Sequence, residues 1–303
     1  MNAKTRLLAF GLLGISIAMH VPPVAATTYV EVKMVCPIGK EKFTAQEVMS
    51  NSSFGQRPDG KPFSPLPVVP FAECPSNGFP LFREEFSKED LAVLEPVVAS
   101  AAYQASRSSE TQRYRVWMLQ KALGEKPGGL ASSLMVAGWE TDEDAQRKAR
   151  YQEQFVSAVD AIDRASDEET WLWLNLRAGN ALRELGKFSG AVARFDLVAA
   201  NLDLLADAQL RADVGSFIAV LKQLAVEENT ASQPAGAVPD DVGAFRCVID
   251  RSSLSASELT VCQSEAMAAT IMDFEIEADQ GTLKGAEAIR EMHRRVSQQS
   301  GSR

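Results

Sequence analysis

Apolar residues recur at steps of three and four positions along most of the chain after Ser87, which is the repeat of one face of an α-helix. Phe155, Val159 and Ile162 form one such stripe. Glycines and helix-start sequences interrupt the pattern, and they separate seven predicted helices. These cover residues 88–104, 110–123, 128–138, 142–165, 168–185, 188–202 and 206–226. We therefore predict a mainly α-helical domain over residues 88–226.

The segment before this domain, residues 27–87, has a different pattern. It is rich in proline, glycine and serine, and apolar and polar residues alternate from Tyr29 to Val35. Alternation with a period of two is typical of a β-strand. We predict a small loop-rich module with short strands, which needs a crosslink or docking onto the helices because it buries little core by itself.

The segment after the helical domain divides into a linker and a tail. Residues 227–241 are polar and contain prolines and a glycine, which indicates a linker. Helical patterning returns in the tail, residues 242–297, with candidate helices at 255–279 and 283–296.

The first 26 residues have the pattern of a signal peptide. Lys4 and Arg6 precede an apolar run from Leu7 to Met19, and a small-residue cleavage sequence ends at Ala26. The run of 13 apolar residues is shorter than the roughly 20 that span a bilayer, so a retained membrane anchor is the weaker alternative. We expect cleavage after Ala26 and a periplasmic or secreted protein, without a membrane span in the mature chain.

The charge of the mature chain limits its partners. Of 31 basic residues, removal of Lys4 and Arg6 leaves 29 against 40 acidic ones, a net charge of −11. Nucleic acids and anionic lipids need clustered positive charge, so neither is expected as a partner. The acidic balance by itself indicates solubility.

All four cysteines lie in the part expected to be exported, where disulfides persist. Four cysteines allow three pairings. Sequence spacing favours Cys36 with Cys74 and Cys247 with Cys262, since each pair lies within one segment.

The run from Asn175 to Val198 combines small and large residues in a particular order. Ala178, Gly179 and Ala181 are small where two helices would approach closely, and Gly186 permits a left-handed turn between them. Large and small residues alternate on the face of the second helix that packs back: Phe188, Ala191 and Phe195. This run resembles one tetratricopeptide unit, two antiparallel helices joined by a tight turn.

The resemblance implies a fold and a function. One unit is fewer than the three or so that such repeats need, so helices 142–165 and 206–226 are expected to complete a tetratricopeptide-like array. These arrays expose a concave face that commonly binds proteins or peptides. We place four residues on that face: Asn175, Arg183, Arg194 and Trp173. A plain helical hairpin that binds no peptide is the alternative.

A second resemblance involves three motifs, Cys36-Pro-Ile-Gly39, Arg57-Pro-Asp59 and Cys74-Pro-Ser-Asn77. Together they are similar to the bacterial family called domain of unknown function 2225, over residues 30–225. That family has two CPxCG-type knuckles, which imply a four-thiolate zinc site. Here Gly39 and Asn77 replace the second cysteine of each knuckle. We interpret Cys36 and Cys74 as a disulfide in place of the metal, with differently paired cysteines, metal binding or redox chemistry as alternatives.

The tail has a third resemblance, which rests on Phe245-Arg-Cys247, Ser257-Glu258 and Cys262. It is similar to the disulfide-tied helical module of lysozyme-inhibitor-like periplasmic proteins. The alternative is a crosslink that only staples a helical hairpin.

The mature sequence contains none of the common catalytic motifs. Its one histidine, His293, lies beside arginines, and the chain has no GxSxG, HExxH or phosphate-binding glycine motif. We expect no metal and no cofactor. A catalytic pair of carboxylates stays an alternative, because the sequence does not show which Asp and Glu side chains converge in space. The sequence therefore predicts a non-catalytic protein- or peptide-binding scaffold of the bacterial cell envelope. The alternative is a cell-wall-related enzyme or a lysozyme-inhibitor-like protein.

Overall fold

The structure is a computed structural model that describes residues 27–278 and 281–300. Helices make up 59% of it, which confirms the mainly α-helical fold class. The predicted signal peptide lies outside the described residues. None of the helices in the described ranges is long and apolar enough to cross a membrane.

The elements follow one another in a simple order. The strands β1 (Thr28–Val35) and β2 (Lys42–Ser50) form an antiparallel hairpin at the start of the described chain. Eight helices follow: α1 (Lys88–Ala99), α2 (Ala101–Ser109), α3 (Gln112–Ala122), α4 (Pro127–Trp139), α5 (Ala145–Asp160), α6 (Glu168–Glu184), α7 (Phe188–Ala199) and α8 (Ala208–Val226). The tail contains α9 (Asp240–Ile249), α10 (Ala256–Cys262), α11 (Glu265–Asp273), the antiparallel strands β3 (Glu275–Ala278) and β4 (Gly281–Lys284), and α12 (Gly285–Ser300).

The N-terminal module is fastened to the first helices. Cys36 and Cys74 form the predicted disulfide, with their Cα atoms 5.6 Å apart, and both are completely buried. They share a core with Phe79, Leu94 and Tyr103, so the module packs against α1 and α2. The expected crosslink and docking are both present.

The predicted helix pair at residues 175–198 is confirmed. α6 and α7 pack against each other across a turn at Gly186, whose φ of +71° lies in the left-handed region. A Cβ atom on Gly179 would lie 2.7 Å from Cε1 of Phe195, so only glycine lets the two helices approach this closely. α6 also contacts α4, α5 and α8, which places it at the centre of the helical array.

One predicted helix is two helices in the structure. The stretch 88–104 is interrupted at Ser100, whose extended backbone ends α1. The Ser100 hydroxyl accepts a hydrogen bond from the backbone of Tyr103, which starts α2. The apolar spacing continues across this break, and for that reason the pattern did not reveal it.

The tail folds into a compact unit around the second predicted disulfide. Cys247 and Cys262 lie with their Cα atoms 5.4 Å apart and join α9 to α10. The predicted helix 255–279 ends early, because α10 and α11 are separated by a turn and β3 follows α11. α9 was not predicted, and it begins inside the stretch assigned as a linker.

The rest of that stretch also packs against the protein. We call residues 227–239 the return segment, because the chain here folds back from α8 over α6. Ala235 and Ala237 are buried, and the buried carboxylate of Glu258 in α10 accepts hydrogen bonds from Asn229 and from the backbone of Ala235. The return segment is therefore an ordered connection between the array and the tail.

Candidate functional site: the tail cleft

Arg183, which the sequence places on a binding face, is 0% exposed in the structure. Its guanidinium donates to the side-chain oxygen of Asn180 at 2.8 Å. It also donates to the backbone carbonyls of Asn229 and Ala231 at 2.6 and 2.8 Å. Burial lowers the pKa of this guanidinium. This corrects the expectation of a direct partner contact, because Arg183 holds the return segment against α6.

Asn175 is also buried, at 1% exposure, and so does not face a partner. Its amide donates to the carbonyl of Trp171 at 2.7 Å, and its oxygen accepts a 2.6 Å hydrogen bond from Arg194. Arg194 in turn pairs with Asp160 at the end of α5. These two predicted binding residues therefore join α5, α6 and α7.

Trp173 is half-buried and packs against the core of α6, α7 and α8. Its indole nitrogen donates to the carboxylate of Glu169 over 3.4 Å. The structure places Trp173 apart from Arg183, which lies under the return segment. The four predicted residues thus do not form one open site.

A loop from the N-terminal module covers the surface of α4 and α6. We call residues 54–63 the docking loop. Its two ends pair through backbone hydrogen bonds between Phe54 and Phe63 at 3.0 Å and between Phe63 and Gly55 at 2.9 Å. Its tip turns sharply at Gly60, whose φ is +87°.

The tip of the docking loop fits between Trp139 and Arg177. Arg177 donates to the carbonyl of Pro58 at 2.7 Å, and the Trp139 indole donates to the carbonyl of Asp59 at 3.2 Å. The neighbouring Lys61 donates to the carbonyl of Trp139 at 2.6 Å. The surface of the array around Trp139 and Arg177 is therefore occupied by the protein's own chain.

Charged side chains reinforce this contact. Arg57 pairs with Asp59 and also with Asp142 at 2.8 Å, and Lys61 pairs with Asp142 at 2.7 Å. Partial burial opposes ionisation of Asp142, but hydrogen bonds from Arg57 and Lys61 and the charge of Lys148 outweigh it and lower the pKa of this carboxyl. The docking loop is thus held by an ionic network at neutral pH.

An open cleft lies on the other side of the docking loop, where the loop, the return segment and the tail meet. We call it the tail cleft; its volume is about 710 Å³. Three phenylalanines and a methionine line it, together with residues 231–233, Asp241, Val242, Arg246 and Asp250. The four are Phe54, Phe245, Phe274 and Met292.

Phe54 and Phe245, two of the apolar residues of the tail cleft, each have a ring packed against them. Phe54 stacks on Phe63 with ring centroids 6.0 Å apart and is still 56% exposed. Gly55 lies directly against Pro239, because a Cβ atom there would be 2.4 Å from the proline ring. Phe245 in α9 meets the ring of His293 edge-on at 5.6 Å. His293, the one histidine of the mature sequence, therefore packs against Phe245, which lines the cleft.

The chemistry of the tail cleft is acidic as well as apolar. A second depression of about 460 Å³ shares Asp241 and Phe274 with it. Its other lining residues include three carboxylates, Asp240, Asp273 and Glu275. The two depressions together present aromatic rings beside negative charge.

The cleft's one lining arginine is already neutralised. Arg246 pairs with Asp250 at 3.0 Å and with the buried Glu258 at 3.2 Å. Hydrogen bonds from Ser255, Ala235, Arg246 and Asn229 lower the pKa of Glu258 against the opposing effect of its burial. Arg246 is therefore part of the support of the tail rather than a free cation.

The one cluster of potential metal ligands among the described residues is Cys36, Glu41 and Cys74. Both of its sulfurs are used in the disulfide. Asn77, at a position where the resembled family has cysteine, donates instead to the carbonyl of Ile38 at 2.9 Å. The geometry fits a crosslinked pair of turns and offers no thiolates to a metal.

Comparisons with protein-family models, with curated proteins and with solved structures found no match for this chain. The residues of the tail cleft were also missed by the sequence reasoning. The available signal was weak: Phe54 stands alone in a polar loop, and Phe245 was read only as a neighbour of Cys247.

Proposed function

We propose that this protein is a non-catalytic binding protein of the bacterial cell envelope, exported by the predicted signal peptide 1–26, and that it binds a segment of a protein partner. The tail cleft is its binding site. Both disulfides support the compartment, since disulfides are typical of exported chains in an oxidising environment.

One observation carries the proposal. The tail cleft joins apolar side chains from three separate parts of the chain, whereas the docking loop and the return segment cover α6 around Arg177 and Arg183. Binding sites occur preferentially where units meet, and they combine an apolar lining with a few polar groups. Exposed aromatic side chains are also the usual anchors of protein interfaces.

A peptide-display selection against the purified mature protein tests the proposal. We expect enriched peptides to bind with micromolar affinity, and Phe54→Ala to weaken them at least about tenfold, a loss of about 1.4 kcal/mol. Tyr29→Ala is the matched control, because Tyr29 is an aromatic residue with 53% exposure outside the cleft. Circular dichroism of both variants shows whether the fold is kept.

Two results would overturn the proposal. One is a selection that enriches no peptide above background. The other is a set of binding peptides that respond equally to Phe54→Ala and Tyr29→Ala.

A further inference from the structure

We infer that the segment bound in the tail cleft is cationic, with lysine or arginine next to aromatic or large aliphatic residues. This inference rests on the proposed function and names the chemistry of the partner. It follows from the position of the negative charges relative to the apolar lining.

Three of the carboxylates at the cleft have no ion pair among the described residues. These are Asp240 and Asp241 at the start of α9 and Asp273 at the end of α11. Glu275 lies beside them and pairs with Lys284 at 3.1 Å. The local balance from these five side chains is four negative charges and one positive, a net charge of −3.

The cations of the neighbouring elements do not offset this charge. Arg246 is shared between Asp250 and Glu258. On α12, Arg294 and Arg295 share Glu291, at 2.6 and 2.9 Å, and neither lines either depression. Arg290 does not line either depression. A bound cation would therefore meet unpaired carboxylates, whereas an anion would meet repulsion.

Apolar lining and charge have different roles in this site. Burying an aromatic side chain against Phe54, Phe245 and Phe274 supplies most of the affinity, at roughly 25 cal/mol per Å² of apolar surface removed from water. Exposed carboxylates add less, about 0.2–1 kcal/mol per pair. They do favour cationic over neutral or anionic segments and speed their association.

The shape of the site favours an extended segment over a small ligand. The two depressions measure about 710 and 460 Å³ and share Asp241 and Phe274, so they form one continuous surface. Its apolar part lies mainly in the larger depression and its carboxylates mainly in the smaller one. A segment with an aromatic residue at one end and basic residues at the other matches this division.

The test uses three synthetic peptides of equal length and the full mature protein. The first has a phenylalanine pair followed by three lysines, the second has glutamines for the lysines, and the third has serines for the phenylalanines. Fluorescence anisotropy should show that the first binds at least about tenfold more tightly than either of the others. This difference between the first and second peptides should shrink as salt is raised from about 50 mM to about 500 mM.

The combined variant Asp240→Asn, Asp241→Asn and Asp273→Asn should lower affinity for the lysine peptide at least about fivefold and leave the glutamine peptide unchanged. The control removes three exposed charges near the start of α1 instead, with Glu84→Gln, Glu85→Gln and Glu89→Gln. Both variants change the net charge equally. Only the first should alter binding.

Equal affinity for the lysine and glutamine peptides would overturn this inference. If Phe54→Ala still weakened the binding of the lysine and glutamine peptides, the proposed function would stand without the inference of a cationic segment. Self-association that the aspartate variant abolishes would also overturn it, since the occupant would then be a second copy. Failure of all three peptides and of every selected peptide would remove the proposed function together with the inference.

Discussion

Arg177 donates a 2.7 Å hydrogen bond to the carbonyl of Pro58, although the two residues are 119 positions apart in sequence. Six residues later on the same helix, Arg183 donates to the carbonyl of Asn229 at 2.6 Å. α6 therefore binds the docking loop with one arginine and the return segment with the other. Because Phe54 and residues 231–233 both line the tail cleft, these two hydrogen bonds position two of its walls.

Gly60→Ala should loosen the docking loop. The left-handed backbone of Gly60 costs an alanine about 1–2 kcal/mol. Its Cβ would also lie only 3.2 Å from Nε of Arg177 and 3.3 Å from Cζ2 of Trp139. We expect faster amide hydrogen exchange over residues 54–63 and a lower free energy of unfolding.

Gly129→Ala is the matched control for this substitution. Gly129 lies in α4, and a Cβ there meets no atom within 4 Å. Alanine should stabilise that helix by up to about 1 kcal/mol. Unchanged exchange in the Gly60→Ala loop would show that the tip does not hold the docking loop in place.

Arg183→Met should release the return segment. Methionine fills part of the volume but leaves the carbonyls of Asn229 and Ala231 and the side-chain oxygen of Asn180 without their donor. Unsatisfied buried acceptors cost about 1–3 kcal/mol each, so we expect a loss of at least about 2 kcal/mol. Limited proteolysis should then cut within residues 227–239.

Limited proteolysis and peptide affinity together distinguish a structural role of Arg183 from direct binding of a ligand. If Arg183 contacted a ligand, its replacement would change peptide affinity while the return segment stayed protected. Cleavage-resistant protein with reduced affinity would therefore contradict our assignment of Arg183.

Local patterns predicted the parts of the fold that local interactions determine. The helix pair around Gly186 was predicted from the order of small and large residues and a likeness to a tetratricopeptide unit, and both disulfide pairings were favoured because each pair lies within one segment. The break at Ser100 was missed because the apolar spacing continues through it. α9 was missed because its acidic start follows Pro239 in a polar stretch, although proline followed by aspartates also marks a helix start.

The candidate site depends on contacts that no local pattern encodes. The turn at Arg57-Pro-Asp59 is recognisable in the sequence. Its contact with Arg177 of α6 joins residues far apart in the chain, and no local pattern indicates it. The same holds for Arg183, whose position on the repeat-like helix indicated a binding face. In the structure Arg183 is buried under the return segment and holds it in place instead. Phe54, Phe245 and Phe274 form a cleft only because the tail folds beside the docking loop.

Replacement of Cys36 and Cys74 by serine should destabilise the N-terminal module. Their bond closes a loop over a sequence separation of 38, for which the chain-entropy estimate gives about 4 kcal/mol. The bond between Cys247 and Cys262, with a separation of 15, should contribute about 3 kcal/mol. Urea unfolding of the two double-serine variants measures both losses.

The same experiment has an internal control. Addition of a reducing agent should lower the stability of the wild-type protein and of each variant that still has one bond. A protein lacking both pairs should not respond. An insensitive wild-type protein would contradict the disulfide assignment.

Glu227 should make the attachment of the tail sensitive to acid. Its carboxylate accepts hydrogen bonds from the amide and hydroxyl of Ser257 at 3.1 and 2.8 Å and from Gln223 at 2.9 Å. Partial desolvation opposes ionisation, but the bonds from Ser255, Gln223 and Ser257 outweigh it and lower the pKa from 4.5 to about 2. A depressed folded-state pKa means that this stabilisation is complete above about pH 4.5 and is lost as pH falls toward 2.

Glu227→Gln removes this ionisation and so separates it from that of the other carboxylates. At neutral pH the variant should be less stable than the wild-type protein, and the difference should shrink as pH falls, because protonated Glu227 resembles glutamine. Glu228→Gln is the matched control, since Glu228 is adjacent and exposed and has no side-chain hydrogen bond or ion pair among the described residues. Urea unfolding across this pH range measures the difference for both variants. A gap between Glu227→Gln and wild type that stays constant down to pH 2 would show that the charge of Glu227 does not hold α10 against the end of α8.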